Sequence, residues 1–202
     1  MTIKVMLADD QALVRGALAA LLELESDLTV VSEVGDGTEV VPAARESQPD
    51  VVLMDVEMPG MDGISATAEL RKALPATRVL IVTTFGRPGY LRRGLQAGAA
   101  GFVVKDTPAR ELADAVRRVH QGLRVVDPAL ATDSLIAGES PLTARETDVL
   151  RTARAGGTVA DIAGALFLSE GTVRNHLSAV IGKTGARTRA EAAQIAESNG
   201  WL

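Results

Sequence analysis

Asp9-Asp10, Asp55, Thr83 and Lys105 each stand directly after a short apolar run. The runs are Val5-Met6-Leu7-Ala8, Val51-Val52-Leu53-Met54, Val79-Leu80-Ile81-Val82 and Gly101-Phe102-Val103-Val104. If the runs are parallel strands of one sheet, the polar residues collect at its carboxyl edge, where open α/β sheets bind ligands. Three carboxylates, a hydroxyl and an ammonium there suit a divalent cation and a phosphoryl group. Mg²⁺ takes oxygen ligands and keeps several waters. A cation between the acids relieves their repulsion and keeps Asp55 ionised as a nucleophile. Lys105 then neutralises phosphoryl oxygens, and Thr83 donates a hydrogen bond to one.

Such a site needs alternating strands and helices. Strand-like runs at Lys4–Ala8, Thr29–Val34, Val51–Met54, Val79–Val82 and Gly101–Val104 alternate with helical patterns as far as about residue 121. Leu13–Leu24 carries apolar residues at helical spacing. Pro42 either falls in the first turn of a helix at Thr38–Ser47 or kinks it. Asp62 is placed to cap the third helix, Gly98 closes the fourth at Pro88–Gln96, and Thr107-Pro108 opens the fifth by the proline-at-first-turn rule. Five βα units imply a doubly wound α/β fold, a five-stranded parallel sheet with helices on both faces. A 2-1-3-4-5 order puts the switch point between the strands that end at Asp9-Asp10 and Asp55.

The pattern breaks over 122–140, where Asp127-Pro128, Asp133-Ser134 and Gly138-Glu139-Ser140-Pro141 cluster. This stretch reads as a linker, with room for a short helix at 128–137. It separates a domain over 1–121 from an all-α domain over 141–202. In the latter, Thr143-x-x-Glu146 and Thr188-x-x-Glu191 have the capping-box spacing, and Thr158 and Ser169 are N-cap candidates.

The chain has 202 residues, with 47% hydrophobic and 2% aromatic, so its cores must be aliphatic. The absence of cysteine excludes disulfides, zinc-thiolate sites and thiol catalysis. His120 and His176 are too far apart in sequence to suggest a ligand pair. No apolar run reaches the ~18 residues of a membrane span, and no signal-peptide pattern opens the chain, so a cytoplasmic location is expected. The net charge of −5 is uneven: from Ser140 onward seven basic residues face six acidic ones, leaving about −6 for the rest.

Residues 168–181 follow a helix-turn-helix plan. Val173, Leu177, Val180 and Ile181 form an apolar stripe, and Arg174, Asn175 and Ser178 a polar one. Arginine reads guanine and asparagine adenine in the major groove. Thr172, Lys183 and Arg187 suit phosphate contacts.

Asp9-Asp10, the run from Asp55 through Met58-Pro59-Gly60 to Gly63, Thr83, Phe102 and Lys105 together resemble the receiver domain of bacterial two-component response regulators. That resemblance implies that Asp55 accepts phosphate from a sensor histidine kinase. It also implies that Asp10, Asp55 and the Glu57 backbone carbonyl bind Mg²⁺, with Asp9 acting mainly through water. Thr83 and Phe102 would be a switch pair and Lys105 a phosphate contact. Glu57 and Phe85 occupy positions that tune phosphate lifetime in the family. Lys105-Asp106 replaces the family's frequent Lys-Pro.

Leu142-Thr143-x-x-Glu146, Ile162-Ala163, Leu168-Ser169-x-x-Thr172-Val173-x-x-His176 and Arg187-x-Arg189-x-Glu191-Ala192 resemble the LuxR/NarL-type DNA-binding domain. Thr184 stands where that family usually has leucine, which is expected to weaken packing of the last two helices. The last helix, about 189–198, would carry a dimer contact. Thr83 to Tyr90, with Asp10-Gln11, resembles the DesR-like regulators of membrane-lipid desaturation. Their partners are membrane thermosensor kinases, and their first and last receiver helices pair. Leu13, Leu18 and residues 108–121 offer apolar material for that.

Together these resemblances imply a phosphorylation-switched transcription factor, a homodimer when phosphorylated, that binds promoter DNA and has no enzymatic role of its own. Two rivals remain open. One is a metal-dependent aspartyl-phosphate phosphatase, with Glu57 as the second acid. The other is an interaction module whose helical tail grips a protein.

Overall fold

The computed structural model describes residues 2–84, 88–136 and 140–202. Phe85, Gly86 and Arg87, which carry part of the desaturation-regulator resemblance and one lifetime position, lie outside the described residues, as does Gly138-Glu139 of the expected linker. The chain divides into two compact units, with a boundary between Asp133 and Ser134.

The first unit alternates β1 (Ile3–Ala8), α1 (Ala12–Glu23), β2 (Leu28–Val34), α2 (Val40–Ser47), β3 (Val51–Asp55), α3 (Gly63–Ala73), β4 (Arg78–Thr83), α4 (Pro88–Gln96), β5 (Gly101–Val104) and α5 (Ala109–His120). The expected strand order is found, with one strand more: β6 (Val125–Val126) pairs parallel to β5, giving β2-β1-β3-β4-β5-β6. The sheet therefore has six strands rather than five, and the sixth lies within the stretch read as linker. A two-residue strand is too short to show a period of two, so its pairing with Gly101 and Phe102 is what defines it.

Alternation along the strands builds two cores. Val5 and Leu7, with Val51, Leu53, Leu80, Val82 and Val103, face Leu22 of α1 and Leu112, Val116 and Val119 of α5. Met6 and Ala8, with Val52, Met54, Ile81 and Phe102, face Val40 of α2, Ile64 and Leu70 of α3, and Leu91 of α4. Both faces of β3 are covered, and all five of its residues are buried. Arg117 of α5 binds Glu25 at 2.6 Å and Asp27 at 2.7 Å, tying α5 to the loop after α1.

Local chemistry sets the helix starts. Asp62 accepts from the N–H groups of Ile64 and Ser65 at 3.0 and 2.9 Å, capping α3. A single 3₁₀ turn, Gly37–Glu39, precedes α2 and shifts its start to Val40. Pro42 then sits in the first turn, where a missing N–H costs no intrahelical bond. Pro108 is the N-cap of α5 rather than its first helical residue.

The helical unit follows α6 (Pro128–Ile136) with α7 (Ala144–Arg154), α8 (Val159–Leu166), α9 (Glu170–Thr184) and α10 (Arg189–Ser198). Thr143 and Glu146 form the expected capping box, and Thr158 forms another with Asp161. At α10 Thr188 caps Glu191 N–H, but the Glu191 carboxylate reaches one residue further back, to the Arg187 N–H at 2.7 Å. The core joins Leu142, Leu150, Val180, Ala192 and Ala196, with Trp201 packed against them. A neighbouring cluster holds Val149, Ile162, Val173 and Leu177. The Thr184 hydroxyl donates to the Val180 carbonyl at 2.8 Å, so its polar end is satisfied within α9. Among the described residues no helix is long and apolar enough to cross a membrane.

Candidate functional site: an acidic pocket and a recognition helix

β1 and β3 are adjacent and in register, Ala8 beside Met54, so the residues that follow them meet at the carboxyl edge. Carboxylate oxygens of Asp9, Asp10 and Asp55 all lie within 4.8 Å of one another. Asp9 and Asp55 are buried and Asp10 is exposed. From β5 the Lys105 ammonium reaches Asp55 Oδ2 at 2.8 Å and Asp9 Oδ2 at 2.7 Å. The Lys105 N–H donates to the Thr83 carbonyl at 2.8 Å, which fixes the root of the lysine to the end of β4. Thr83 lines a small cleft with Gln11, Asp55, Glu57 and Thr84.

The donors are hard oxygens clustered closely enough to share a small divalent cation. Burial pushes the Asp55 carboxyl above its ordinary range, and the neighbouring Asp9 adds to the push, against the pull of Lys105. Burial also works against the Lys105 charge, but hydrogen bonds to Asp55 and Asp9 outweigh it and hold the ammonium above its usual range. Asp55 Oδ1 accepts from the Val56 N–H at 2.7 Å, so the carboxylate is fixed in orientation.

The loop after β3 depends on a glycine. A Cβ on Gly63 would fall 1.7 Å from the Asp55 carbonyl oxygen, so no larger residue lets α3 start there. Glu57, in the same loop, accepts from the Tyr90 hydroxyl of α4 at 3.2 Å. Phe102 is fully buried between the sheet and α4, beside Ile81. A Cβ on Gly94 of α4 would come within 2.7 Å of both the Phe102 ring and Ile81. The structure thus brings Asp9, Asp10, Asp55, Glu57, Thr83 and Lys105 to one edge, with Phe102 beneath it in the core. Sequence reading did not single out Arg15 of α1, whose guanidinium donates to the Asp9 carbonyl. Its place one turn after Gln11 was the available signal.

In the helical unit Ser169 caps α9, accepting from the Thr172 N–H at 3.1 Å. Phe167, at φ 54°, makes the turn from α8 and is 96% exposed. Val173, Leu177 and Val180 are buried, so Arg174, Asn175 and Ser178 face outward. The Arg174 guanidinium pairs with Glu170 at 2.5 Å, one turn back on the same helix. Arg187 is exposed. Lys183 is placed differently from a free phosphate contact: its ammonium binds the buried Glu146 carboxylate at 2.6 Å. Burial works to raise the Glu146 carboxyl, but Lys183 and the Thr143 N–H hold it below the usual carboxylate range.

Residues 5–117 match the response regulator receiver domain family, and residues 140–196 match the bacterial regulatory proteins of the luxR family. The chain is a response regulator of the LuxR/NarL type. It is 45% identical to the uncharacterized transcriptional regulatory protein YvfU of Bacillus subtilis, over 99% of this chain and all of the relative. Transcriptional regulatory protein DesR of the same organism is 40% identical, over 99% of each chain. The crystal structure of response regulator ChrA from a heme-sensing two-component system is 34% identical, with a TM-score of 0.61, covering 100% of this chain and 99% of that one. YvfU and DesR are both described as transcriptional regulatory proteins, and ChrA as a response regulator.

Proposed function

We propose that Asp55 accepts a phosphoryl group from the phosphohistidine of a partner sensor kinase, and that this switches dimerisation and sequence-specific promoter binding. The receiver would span 1–121, a linker 122–140 whose β6 joins the receiver sheet, and the DNA-binding domain 141–202. The observation that carries the reading is the Lys105 ammonium on Asp55, with Asp9 and Asp10 gathered beside it. In the transfer an Asp55 oxygen attacks phosphorus. The P–O bond forms as the P–N bond of the donor breaks, and its electron pair returns to the imidazole nitrogen. Lys105 moves its hydrogen bond from the carboxylate to a phosphoryl oxygen, and the Thr83 hydroxyl donates to another. Asp10, Asp55 and the Glu57 carbonyl would hold Mg²⁺, with Asp9 acting through water. The ion supplies positive charge against the phosphoryl oxygens.

Phosphorylation biases two populated states of the receiver. The inward pull on Thr83 gives the Phe102 ring a new position beside α4. Pairing of two receivers raises the effective concentration of two DNA-binding domains at tandem half-sites. There Arg174, Asn175 and Ser178 meet base edges and Thr172 and Arg187 lie near phosphates, while Lys183 is held by Glu146. The setting is cytoplasmic, with the kinase as the membrane's representative rather than the regulator itself.

The test uses intact protein, a small-molecule phosphodonor and Mg²⁺. One phosphoryl group per chain is expected, lost in Asp55→Asn, with tighter binding to promoter fragments in the phosphorylated form. Label retained by Asp55→Asn would overturn the assignment. Rapid multiple turnover of phosphoesters would instead favour a phosphatase.

A further inference from the structure

We infer that Arg15 is a positioning residue for the acidic pocket: it fixes the peptide joining Asp9 to Asp10, and the pocket's affinity for a divalent cation depends on it. The inference rests on the metal-binding reading above and adds a residue that touches no ligand.

Every polar atom of Asp9 has a partner. Its N–H donates to the Val34 carbonyl at 3.1 Å. Its Oδ1 accepts from the Gln11 N–H at 2.9 Å, and its Oδ2 from Lys105 at 2.7 Å. Its carbonyl accepts from Arg15 Nη1. Of these, the carbonyl contact sets the plane of the peptide from which Asp10 springs. Asp10 is exposed, so its approach to the two buried acids depends on that backbone.

Arg15 is itself anchored. Its Nε lies 3.4 Å from Glu33 Oε2 of β2, an ion pair without a hydrogen bond, and the side chain is 21% exposed. Gly35 leaves the space it occupies: a Cβ there would stand 3.3 Å from Arg15 Nη1. The planar guanidinium spans a carbonyl and a carboxylate at once, which the point charge of lysine cannot do in the same geometry. Its charge also offsets part of the repulsion among three clustered acids. Groups that orient metal ligands without touching the metal typically change affinity by about 10–100-fold when removed.

The experiment is calorimetric titration of Mg²⁺ into full-length protein, beside a thermal melt of each variant. Arg15→Met is expected to weaken Mg²⁺ binding about tenfold or more. Arg15→Lys is expected to remain clearly weaker than the parent, and Glu33→Gln to show a smaller loss. A merely structural arginine would lower the melt and leave Mg²⁺ affinity unchanged, which overturns the inference. Full affinity in Arg15→Lys overturns the geometric part, and it decides alone if Arg15→Met does not fold. If the parent protein takes up no Mg²⁺, the metal-site reading fails first. If the parent binds and Arg15→Met binds equally, only the role of Arg15 fails.

Discussion

The Lys105 ammonium meets the Asp55 carboxylate at 2.8 Å with both side chains almost wholly buried, 9% and 4% exposed. The same nitrogen also serves Asp9, 5% exposed. Lysine is thus the counter-charge of the pocket before any ligand arrives.

Lys105→Met leaves two buried carboxylates facing each other. Removing one partner of a buried pair costs about 3–5 kcal/mol. The thermal midpoint of the receiver is expected to fall in metal-free buffer and to recover in part when Mg²⁺ is added. Phosphoryl transfer to Asp55 is expected to drop in the same variant. An unchanged melt in metal-free buffer would contradict the account.

Glu146 and Lys183 make an asymmetric pair, the acid 7% exposed and the lysine 36%. Lys183→Met strands a buried carboxylate, whereas Glu146→Gln leaves an ammonium that can turn to water. The first is therefore expected to cost more, and Glu146→Gln about 1 kcal/mol, chiefly through the weakened capping box. The Glu146 carboxyl is held below its usual range, so the unfolded chain takes up its proton at higher pH than the folded one. Stability from this group is full above the unfolded value and is lost as pH falls through the folded one. Acid titrations of the parent and Lys183→Met, followed by far-ultraviolet circular dichroism, should place the variant's midpoint at higher pH.

Two glycine substitutions should act with opposite sign. Gly63→Ala forces a Cβ against the Asp55 backbone, where relief requires moving the loop that follows Asp55. A loss of about 1–3 kcal/mol and slower phosphorylation are expected. Gly16 lies within α1, and a Cβ there meets nothing within 4 Å. Gly16→Ala should add about 0.4–1 kcal/mol. Denaturant melts check both.

Arg174→Ala is expected to relax discrimination at one G·C pair by about 1–3 kcal/mol. Arg187→Ala should weaken all sequences alike and reduce the salt slope by about one. Lys183 is committed to Glu146, so Lys183→Met should alter the salt slope less than Arg187→Ala does. Binding isotherms at several salt concentrations on matched and mismatched fragments decide this.

What could be read in advance was local. The strands ending at Asp9, Asp55, Thr83 and Lys105 announce themselves as apolar runs, and Thr143 and Ser169 mark helix starts through short-range capping. What escaped needs distance. Val125 and Val126 become a strand only because β5 offers an open edge. Glu191 reaches Arg187 instead of Thr188 because of the backbone entering α10, and the tie between Arg15 and Asp9 depends on the room left at Gly35. Lys183 looked like a free cation because Glu146 lies on a different helix.

Trp201 is the protein's sole indole, and it packs into the aliphatic core of the DNA-binding unit. The sole phenol, Tyr90, bonds to Glu57 in the loop after Asp55. The chain therefore carries one native fluorophore for each half. Emission excited at the red edge comes from Trp201 alone, so it reports the packing of the core that Trp201 joins. Ultraviolet difference spectra of the phenol register changes around Glu57 in the receiver. Denaturation followed by one colour alone would be mistaken for that of the whole protein.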